Sequence, residues 1–195
     1  MIKFCFLIFL TSFISLSSTS QTNPQAEKEC RITSGIGFAG ATKNSKSVGP
    51  AFWLQLGYKV SKNISLATEF ENMTYKLPSF ESGLPKDLDG NNIVGNNFSL
   101  LLKYHIETKL PLKLAFASGW TYTLKTSEYY YYESSNAPQS LRRQVSIADD
   151  YEIPLLLEMR YPIRKAIDVQ VRVKCNLSTG NQSTYSSGVG LSLKL

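Results

Sequence analysis

The chain has 195 residues, a formal net charge of +6 at neutral pH and 43% hydrophobic residues. This composition excludes a collagen-like or disordered chain and allows one domain with a sizeable core. A basic chain can bind anionic lipid or nucleic acid, but the sequence contains no basic cluster or nucleic-acid recognition motif. We therefore expect no nucleic-acid partner.

The N-terminal residues have the pattern of a secretory signal peptide. A short positive segment ends at Lys3, an apolar run follows it, and small polar residues extend to Ser20. We predict cleavage after Ser20, which makes residues 1–20 the signal peptide, 21–29 a disordered leader and 30–195 the folded domain. No later apolar run is long enough for a transmembrane helix.

An exported chain enters an oxidising compartment, where paired cysteines form disulfides. After loss of the signal peptide, Cys30 and Cys175 remain. The predicted strands place them about 26 Å apart along the wall at roughly 3.3 Å per residue, far beyond the reach of a disulfide. We predict no bridge between them within one molecule.

The rest of the chain alternates between apolar and polar side chains in eight segments, the period of a strand with two different faces. Taken in chain order, the predicted strands are 31–41, 50–60, 64–77, 93–106, 112–126, 145–161, 167–177 and 185–195. Long polar loops are predicted at 42–49, 78–92, 127–144 and 178–184, and short turns at 61–63, 107–111 and 162–165. Such a meander predicts an all-β, eight-stranded antiparallel up-and-down barrel.

Alternation alone does not decide whether the apolar side faces lipid or a dry interior. A soluble, secreted, lipocalin-like barrel would turn the same side inward around an apolar ligand. Alternate positions of each strand share one face, and we call the two sets the polar and the apolar parity. Many residues of the polar parity are small, as a narrow filled interior requires. Tyrosines lie on the apolar parity towards strand ends, like the aromatic girdle of a membrane barrel. These tyrosines are Tyr58, Tyr104, Tyr122, Tyr151, Tyr161 and Tyr185. Together with the signal peptide, these features favour a transmembrane barrel in the bacterial outer membrane.

Charges of both signs share the polar parity, and ions withdrawn from bulk water must be paired. We therefore predict a charge network in the lumen. Its members are Glu69, Glu71, Lys103, His105, Lys113, Glu152, Glu158, Arg160, Asp168 and Arg172. Trp53 also takes the lumen parity, and we expect it to fill space beside the glycines of the first strand.

One segment resembles a family signature. The run from Tyr151 to Glu158, followed by Met159, Arg160 and Tyr161, looks like a strand motif of the outer-membrane β-barrel family that includes PorT-like proteins. The closing stretch 185–193 is similar to that family's last strand. The resemblance implies a small barrel without catalytic residues, and its PorT-like members are associated with secretion and gliding machinery.

Three groups of side chains are candidates for a functional site. Glu69 and Glu71 lie two apart on one face, where they could share acid–base work or a cation, or bind lumen cations in salt bridges. His105 is the only histidine, and it could act as a general base or as a hydrogen-bond partner in the lumen. The tyrosines Tyr129, Tyr130, Tyr131 and Tyr132 could contact sugars or a protein from a loop, or extend a strand above the membrane.

These observations predict a non-enzymatic outer-membrane barrel with a filled, charged lumen. We expect it to act in envelope structure, in surface interaction or as a secretion-system component, as a monomer in contact with outer-membrane lipid and with an envelope or surface protein. No cofactor or metal is expected. The alternatives are the soluble lipocalin-like barrel and, less favoured, an outer-membrane lipid-modifying enzyme.

Overall fold

The computed structural model describes residues 29–42, 48–77, 91–106, 108–109, 111–133, 140–178 and 182–195. The predicted signal peptide and leader residues 21–28 lie outside this part of the chain, as do most of two predicted loops. Glu29, which we assigned to the leader, is described. Its backbone carbonyl accepts a hydrogen bond from the amide of Lys59 at 2.8 Å.

Eight antiparallel strands form a closed barrel. They are β1 (Cys30–Ala41), β2 (Gly49–Lys59), β3 (Ile64–Leu77), β4 (Asn91–Ile106), β5 (Lys113–Glu133), β6 (Ser140–Arg164), β7 (Ile167–Ser178) and β8 (Thr184–Lys194). Each strand pairs with its neighbours in sequence, and β1 also pairs with β8, which closes the ring. This topology confirms the predicted fold. In the described residues, no helix is long and apolar enough to cross a membrane.

The main difference from the prediction is at β5 and β6. We predicted a loop over 127–144, and this was wrong, because β5 continues to Glu133 and β6 begins at Ser140. The two extensions pair in register, with Tyr129 opposite Gln144. Tyrosine favours strands, and cross-strand pairs stabilise them, so residues 140–144 of β6 take part in a hairpin although their polar composition is typical of a loop.

The apolar parity faces outwards. Phe116, Trp120 and Val171 are 47%, 50% and 40% exposed, whereas Glu69 and Arg172 are 4% and 1% exposed. A soluble barrel around an apolar ligand would show the reverse arrangement, so that alternative is wrong. Lipid can cover such a belt of exposed apolar side chains, and a closed barrel satisfies its own backbone hydrogen bonds within the membrane.

Rows of side chains across the strands show where this belt ends. Phe70, Phe98, Tyr122 and Tyr151 occupy one row across four strands on the outer face. In the next row towards the long loops, the outer face is polar: Asn72, Asn96 and Asp149 share it with Leu124. The apolar belt of β5 runs from Leu114 to Leu124, roughly 25 Å tall at about 3.3 Å per residue and a tilt of about 40°.

The two cysteines of the folded domain are free thiols. Cys30 is the first residue of β1, at the end of the barrel that carries the short turns. Cys175 pairs with Tyr185 towards the opposite end. This placement agrees with the predicted separation along the wall.

Trp53 lies on the lumen side and is fully buried. A Cβ atom added to Gly35 would lie 2.2 Å from Cζ2 of the Trp53 ring, and one added to Gly188 would lie 2.8 Å from Cη2. The indole therefore occupies the space that side chains at these two positions would need. This confirms the predicted packing of Trp53 beside the glycines of the first strand.

We predict that Gly35→Ala destabilises the barrel by about 1–3 kcal/mol, because the added methyl group overpacks the lumen. Gly57→Ala is the matched control, since its Cβ would find the nearest atom at 3.9 Å. Urea unfolding in lipid vesicles, with the heat-dependent gel shift as the probe of folding, measures both. Equal midpoints for the two variants would contradict the packing argument.

Candidate functional site

Four charged side chains form a cluster in the middle of the lumen. Glu69 and Glu71 point inwards from β3, and Arg172 and Lys174 point inwards from β7 across the barrel. Arg172 donates to Glu69 at 2.6 Å and to Glu71 at 2.5 Å, while the Lys174 Nζ lies 2.8 Å and 3.1 Å from the same two carboxylates. All four side chains are fully buried. Each ion thus has two partners of opposite charge.

Neutral groups complete the cluster. Ser186 donates to Glu71 at 2.6 Å, and Gln55 donates to Glu69 at 2.9 Å. The Arg172 guanidinium also lies 3.9 Å from the centre of the Trp53 ring, within the range of a cation–π contact. The two carboxylates are therefore occupied by cations and donors of the chain itself. Among the described residues, no group of three or more acidic, histidine or cysteine side chains is placed to hold a metal.

Further ion pairs lie above and below this cluster. The Lys103 Nζ lies 2.6 Å from Glu158, towards the short turns. At the other end, the Lys125 Nζ lies 2.7 Å from Glu152. Arg31 contacts Asp168 where β1 meets the last strands. Lys125 and Glu152 join neighbouring strands, whereas the other two pairs each span one intervening strand, so the ions link the strands of the ring from within.

Apolar side chains fill much of the remaining interior. Leu101 and Leu156 are fully buried together with Ala67 and Ala117, and Met73 and Tyr75 pack in a second group nearer the long loops. An interior packed in this way is expected for eight strands, which leave room for side chains only. The packed interior therefore stabilises the wall of the barrel.

A polar cavity of about 490 Å³ opens at the short-turn end. Six basic residues and one acidic residue are among those that line it, namely Arg31, Lys59, Lys62, Lys103, Lys113, Arg160 and Glu29. Burial raises the pKa of Glu29, but the nearby Arg31 and Lys194 cations outweigh this and leave the pKa below its ordinary value. Glu29 is therefore an ionised partner of those two cations.

His105 lies on the wall of this cavity. Its Nδ1 is 3.0 Å from the Arg160 Nη2, and its Nε2 is 2.6 Å from the Ser65 hydroxyl oxygen. Because a guanidinium can only donate, Nδ1 must accept, and the proton of the neutral ring is then on Nε2. The ring donates to Ser65 in this arrangement. It is not oriented to take the Ser65 proton as a general base would.

The extended parts of β5 and β6 form a hairpin beyond the apolar belt. From Leu124 to Glu133, β5 rises by about 30 Å along its axis at roughly 3.3 Å per residue. Residues 141–149 of β6 are all exposed. Arg143 donates to Glu128 at 2.6 Å, and this hydrogen bond lowers the pKa of Glu128. The rings of Tyr129 and Tyr131 lie 6.3 Å apart on one face.

The predicted site residues are distributed as follows. Eight of the proposed network members are buried in the lumen: Glu69, Glu71, Lys103, Glu152, Glu158, Arg160, Asp168 and Arg172. His105 is half-buried at the cavity, and Lys113 is exposed at its mouth without an ion pair to any described residue. Lys113 has the lumen parity but lies at the first position of β5, where the ring opens to water. Of the four tyrosines, Tyr129, Tyr130 and Tyr131 are half-buried in the hairpin strand, and Tyr132 lies in the same strand.

The predicted network omitted Lys174, Gln55 and Ser186, which all contact its carboxylates. Their lumen parity was visible in the sequence. The contacts of Lys174 and Ser186 were not, because β7 and β8 meet β3 only through the closure of the ring, whereas Gln55 lies directly opposite Glu69 in the pairing of β2 with β3.

A closed ring of eight strands, an apolar exterior and paired ions inside define an outer-membrane β-barrel protein. No protein-family model matches the chain, and no curated protein matches it. Solved structures do match it in fold.

The matching structures include three outer-membrane or surface proteins. OprG from Pseudomonas aeruginosa aligns with a TM-score of 0.61 and 11% identity over 87% of this chain and 97% of that one. Neisserial surface protein A aligns with a TM-score of 0.57 and 13% identity over 85% of this chain and 97% of that one. The third is Ail, the attachment invasion locus protein of Yersinia pestis, in complex with the heparin analogue sucrose octasulfate. It aligns with a TM-score of 0.57 and 9% identity over 87% of this chain and 99% of that one. At sequence identities this low, the similarity to these structures shows the fold alone.

We predict that Arg172→Met destabilises the barrel by about 3–5 kcal/mol, because two buried carboxylates would be left with one cation. Adding Glu71→Gln to this variant should recover part of the loss, since it removes the excess negative charge. Free energies of unfolding in lipid vesicles test both changes.

Arg164→Met is the control for this experiment, as Arg164 is exposed at the end of β6. It should change the free energy of unfolding by less than about 0.5 kcal/mol. A double variant less stable than Arg172→Met would show that the charges act independently, against the cluster described above.

Proposed function

We propose that this protein is a non-enzymatic outer-membrane barrel whose β5–β6 hairpin binds an extended segment of a protein partner at the cell surface. The observation that carries the proposal is the unpaired edge of β6. Because the long loops of outer-membrane barrels face the outside, the hairpin extends away from the cell.

The edge arises from unequal strand lengths. β6 pairs with β7 only from Glu152 to Arg164, since β7 ends at Ser178. Residues 140–151 of β6 therefore have no strand partner on that side within the described part of the chain. An exposed edge presents backbone amide and carbonyl groups to any extended peptide, and strand addition is a common way to bind one.

The side chains along this edge support a protein partner. Leu141, Val145 and Ile147 share one parity and are 41%, 50% and 70% exposed, although they lie beyond the lipid-facing belt. Apolar side chains exposed to water in this way are typical of interaction surfaces. A partner strand with alternating apolar residues would cover them while its backbone pairs with β6.

The charges of the hairpin favour a peptide over a sulfated sugar such as the ligand in the Ail structure. Arg143 is paired with Glu128, and Lys125 is paired with Glu152. A polyanion would have to compete with these carboxylates. The hairpin therefore offers a backbone edge and apolar side chains more readily than free positive charge.

The histidine geometry supports the non-enzymatic part of the proposal. The only histidine of the chain donates to Ser65 and accepts from Arg160, so it has no carboxylate to orient it as a base. Glu69 and Glu71 are committed to Arg172 and Lys174. None of these three side chains is therefore free to act as a general base in a hydrolytic or acyl-transfer reaction.

A component of a secretion machinery is the second candidate for the role. It is favoured by the PorT-like motif from Tyr151 to Glu158. In β6, however, the motif's Glu152 and Glu158 pair with lumen lysines, Leu156 packs in the lumen, and Ile153, Leu155 and Leu157 face lipid, so barrel structure also accounts for these residues. The identity of the partner distinguishes the two roles.

We predict that a photo-crosslinking residue at position 145 captures a specific envelope or surface protein in intact cells. The double variant Val145→Lys/Ile147→Lys, with the crosslinker at 141, should reduce this capture at least about tenfold, because lysines on an edge oppose strand pairing. Quantitative mass spectrometry of the cross-linked bands provides the measurement.

Val48→Lys is the matched control, since Val48 is an exposed apolar residue at the same end of the barrel but outside the hairpin. It should leave the capture unchanged. If all variants yield the same neighbours in the same amounts, the edge is not the binding surface.

We also predict that the envelope lipids are the same in cells that make the wild-type protein, the His105→Gln variant or no protein. Mass spectrometry of extracted lipid A and phospholipids tests this. A modified lipid that depends on His105 would contradict a non-enzymatic role.

A further inference from the structure

We propose that the cavity at the short-turn end binds a small organic anion through a phosphate or carboxylate group, with Arg160 as its main ligand. This end faces the periplasm in an outer-membrane barrel. The site is independent of the hairpin, because the filled middle of the lumen separates the two.

Arg160 is a buried cation that forms no ion pair with any described residue. It is 6% exposed and lines the cavity, and its guanidinium makes one hydrogen bond, to the neutral ring of His105 at 3.0 Å. Its Nε has no hydrogen-bond partner. A buried charge is unfavourable unless it is paired, so this guanidinium differs from Arg172, which binds two carboxylates.

The carboxylates near Arg160 are committed to other cations. Both oxygens of Glu158 accept from the Lys103 Nζ, at 2.6 Å and 2.8 Å. Asp168 contacts Arg31, and Glu29 contacts Arg31 and Lys194. The chain itself therefore supplies no free anion to Arg160 within its described residues.

Other cations on the wall add to the positive potential. Lys113 lies directly opposite Arg160 in the pairing of β5 with β6. Like charges directly opposite each other on one face of a sheet repel, and a bound anion would relieve this. Lys59 lines the same cavity, and neither it nor Lys113 forms an ion pair with a described residue.

The shape and chemistry of the cavity limit the ligand. A guanidinium binds the two oxygens of a phosphate or carboxylate in parallel, and lysines add point charges. A volume of about 490 Å³ suits a small organic molecule better than an inorganic ion alone. The ligand is thus a phosphorylated or carboxylated solute of the periplasm, or the C-terminal carboxylate of a peptide.

The test uses the full mature barrel, folded in detergent micelles without a histidine tag. The ring signals of His105, the one histidine of the chain, report on the cavity by NMR, because Arg160 binds its Nδ1. Glycerol 3-phosphate, succinate and trialanine with a free or an amidated C-terminus serve as probes. We expect saturable shifts with at least one anionic probe and none with amidated trialanine.

Arg160→Gln should weaken binding about tenfold or more, and Lys113→Gln about threefold, because each removes a charge-assisted contact. Lys165→Gln is the matched control, as Lys165 is exposed in the turn at the same end but does not line the cavity. It should leave the affinity unchanged.

The pattern of probes identifies the source of the anion, since glycerol 3-phosphate and succinate represent free solutes and trialanine a peptide terminus. Should Arg160→Gln fail to fold in the gel-shift assay, Lys113→Gln still tests the site. Absence of saturable shifts with all three anions, or equal affinities for wild-type, Lys113→Gln and Lys165→Gln, would overturn the proposal.

Discussion

The pairing of buried ions inside a narrow ring is the constraint on which this structure depends. Eight strands leave too little space for bulk water in the middle of the lumen, so charged side chains that point into it need partners of opposite charge. Glu69 and Glu71 on one wall, and Arg172 and Lys174 on the other, satisfy this requirement together. Outside, lipid replaces water, and the same strands need an apolar face.

We expect functional sites at the two ends of the barrel, beyond the part in which buried ions must be paired. In the middle of the barrel, the charged and hydrogen-bonding side chains pair with one another, and they stabilise the wall. Above the lipid belt, β6 extends past β7 and leaves an edge that pairs with no described strand. At the short-turn end, the ring opens to water and Arg160 forms no ion pair with a described carboxylate. Both ends present groups that another molecule can satisfy.

Much of the fold was predictable because strand alternation has a strict period of two. Phe116 and Trp120 on one side and Ala115 and Ala117 on the other assign the two faces of β5 without any knowledge of its neighbours. Trp53 was recognisable as a lumen residue for the same reason. The hairpin above the membrane was missed, since the polar residues at the start of β6 match both a loop and a solvated strand.

The sequence by itself determined the number of strands, their inner and outer faces, and the residue types available to the lumen. Side-chain parity is a local property, and it is readable one segment at a time. Only the tertiary structure decided which ions pair, because register and ring closure bring β3 against β7 across the barrel. The same closure left Lys113 at the open mouth and Arg160 without an ion pair to any carboxylate that the structure describes. Partners across a lumen depend on the shear of the whole ring, which no single strand encodes.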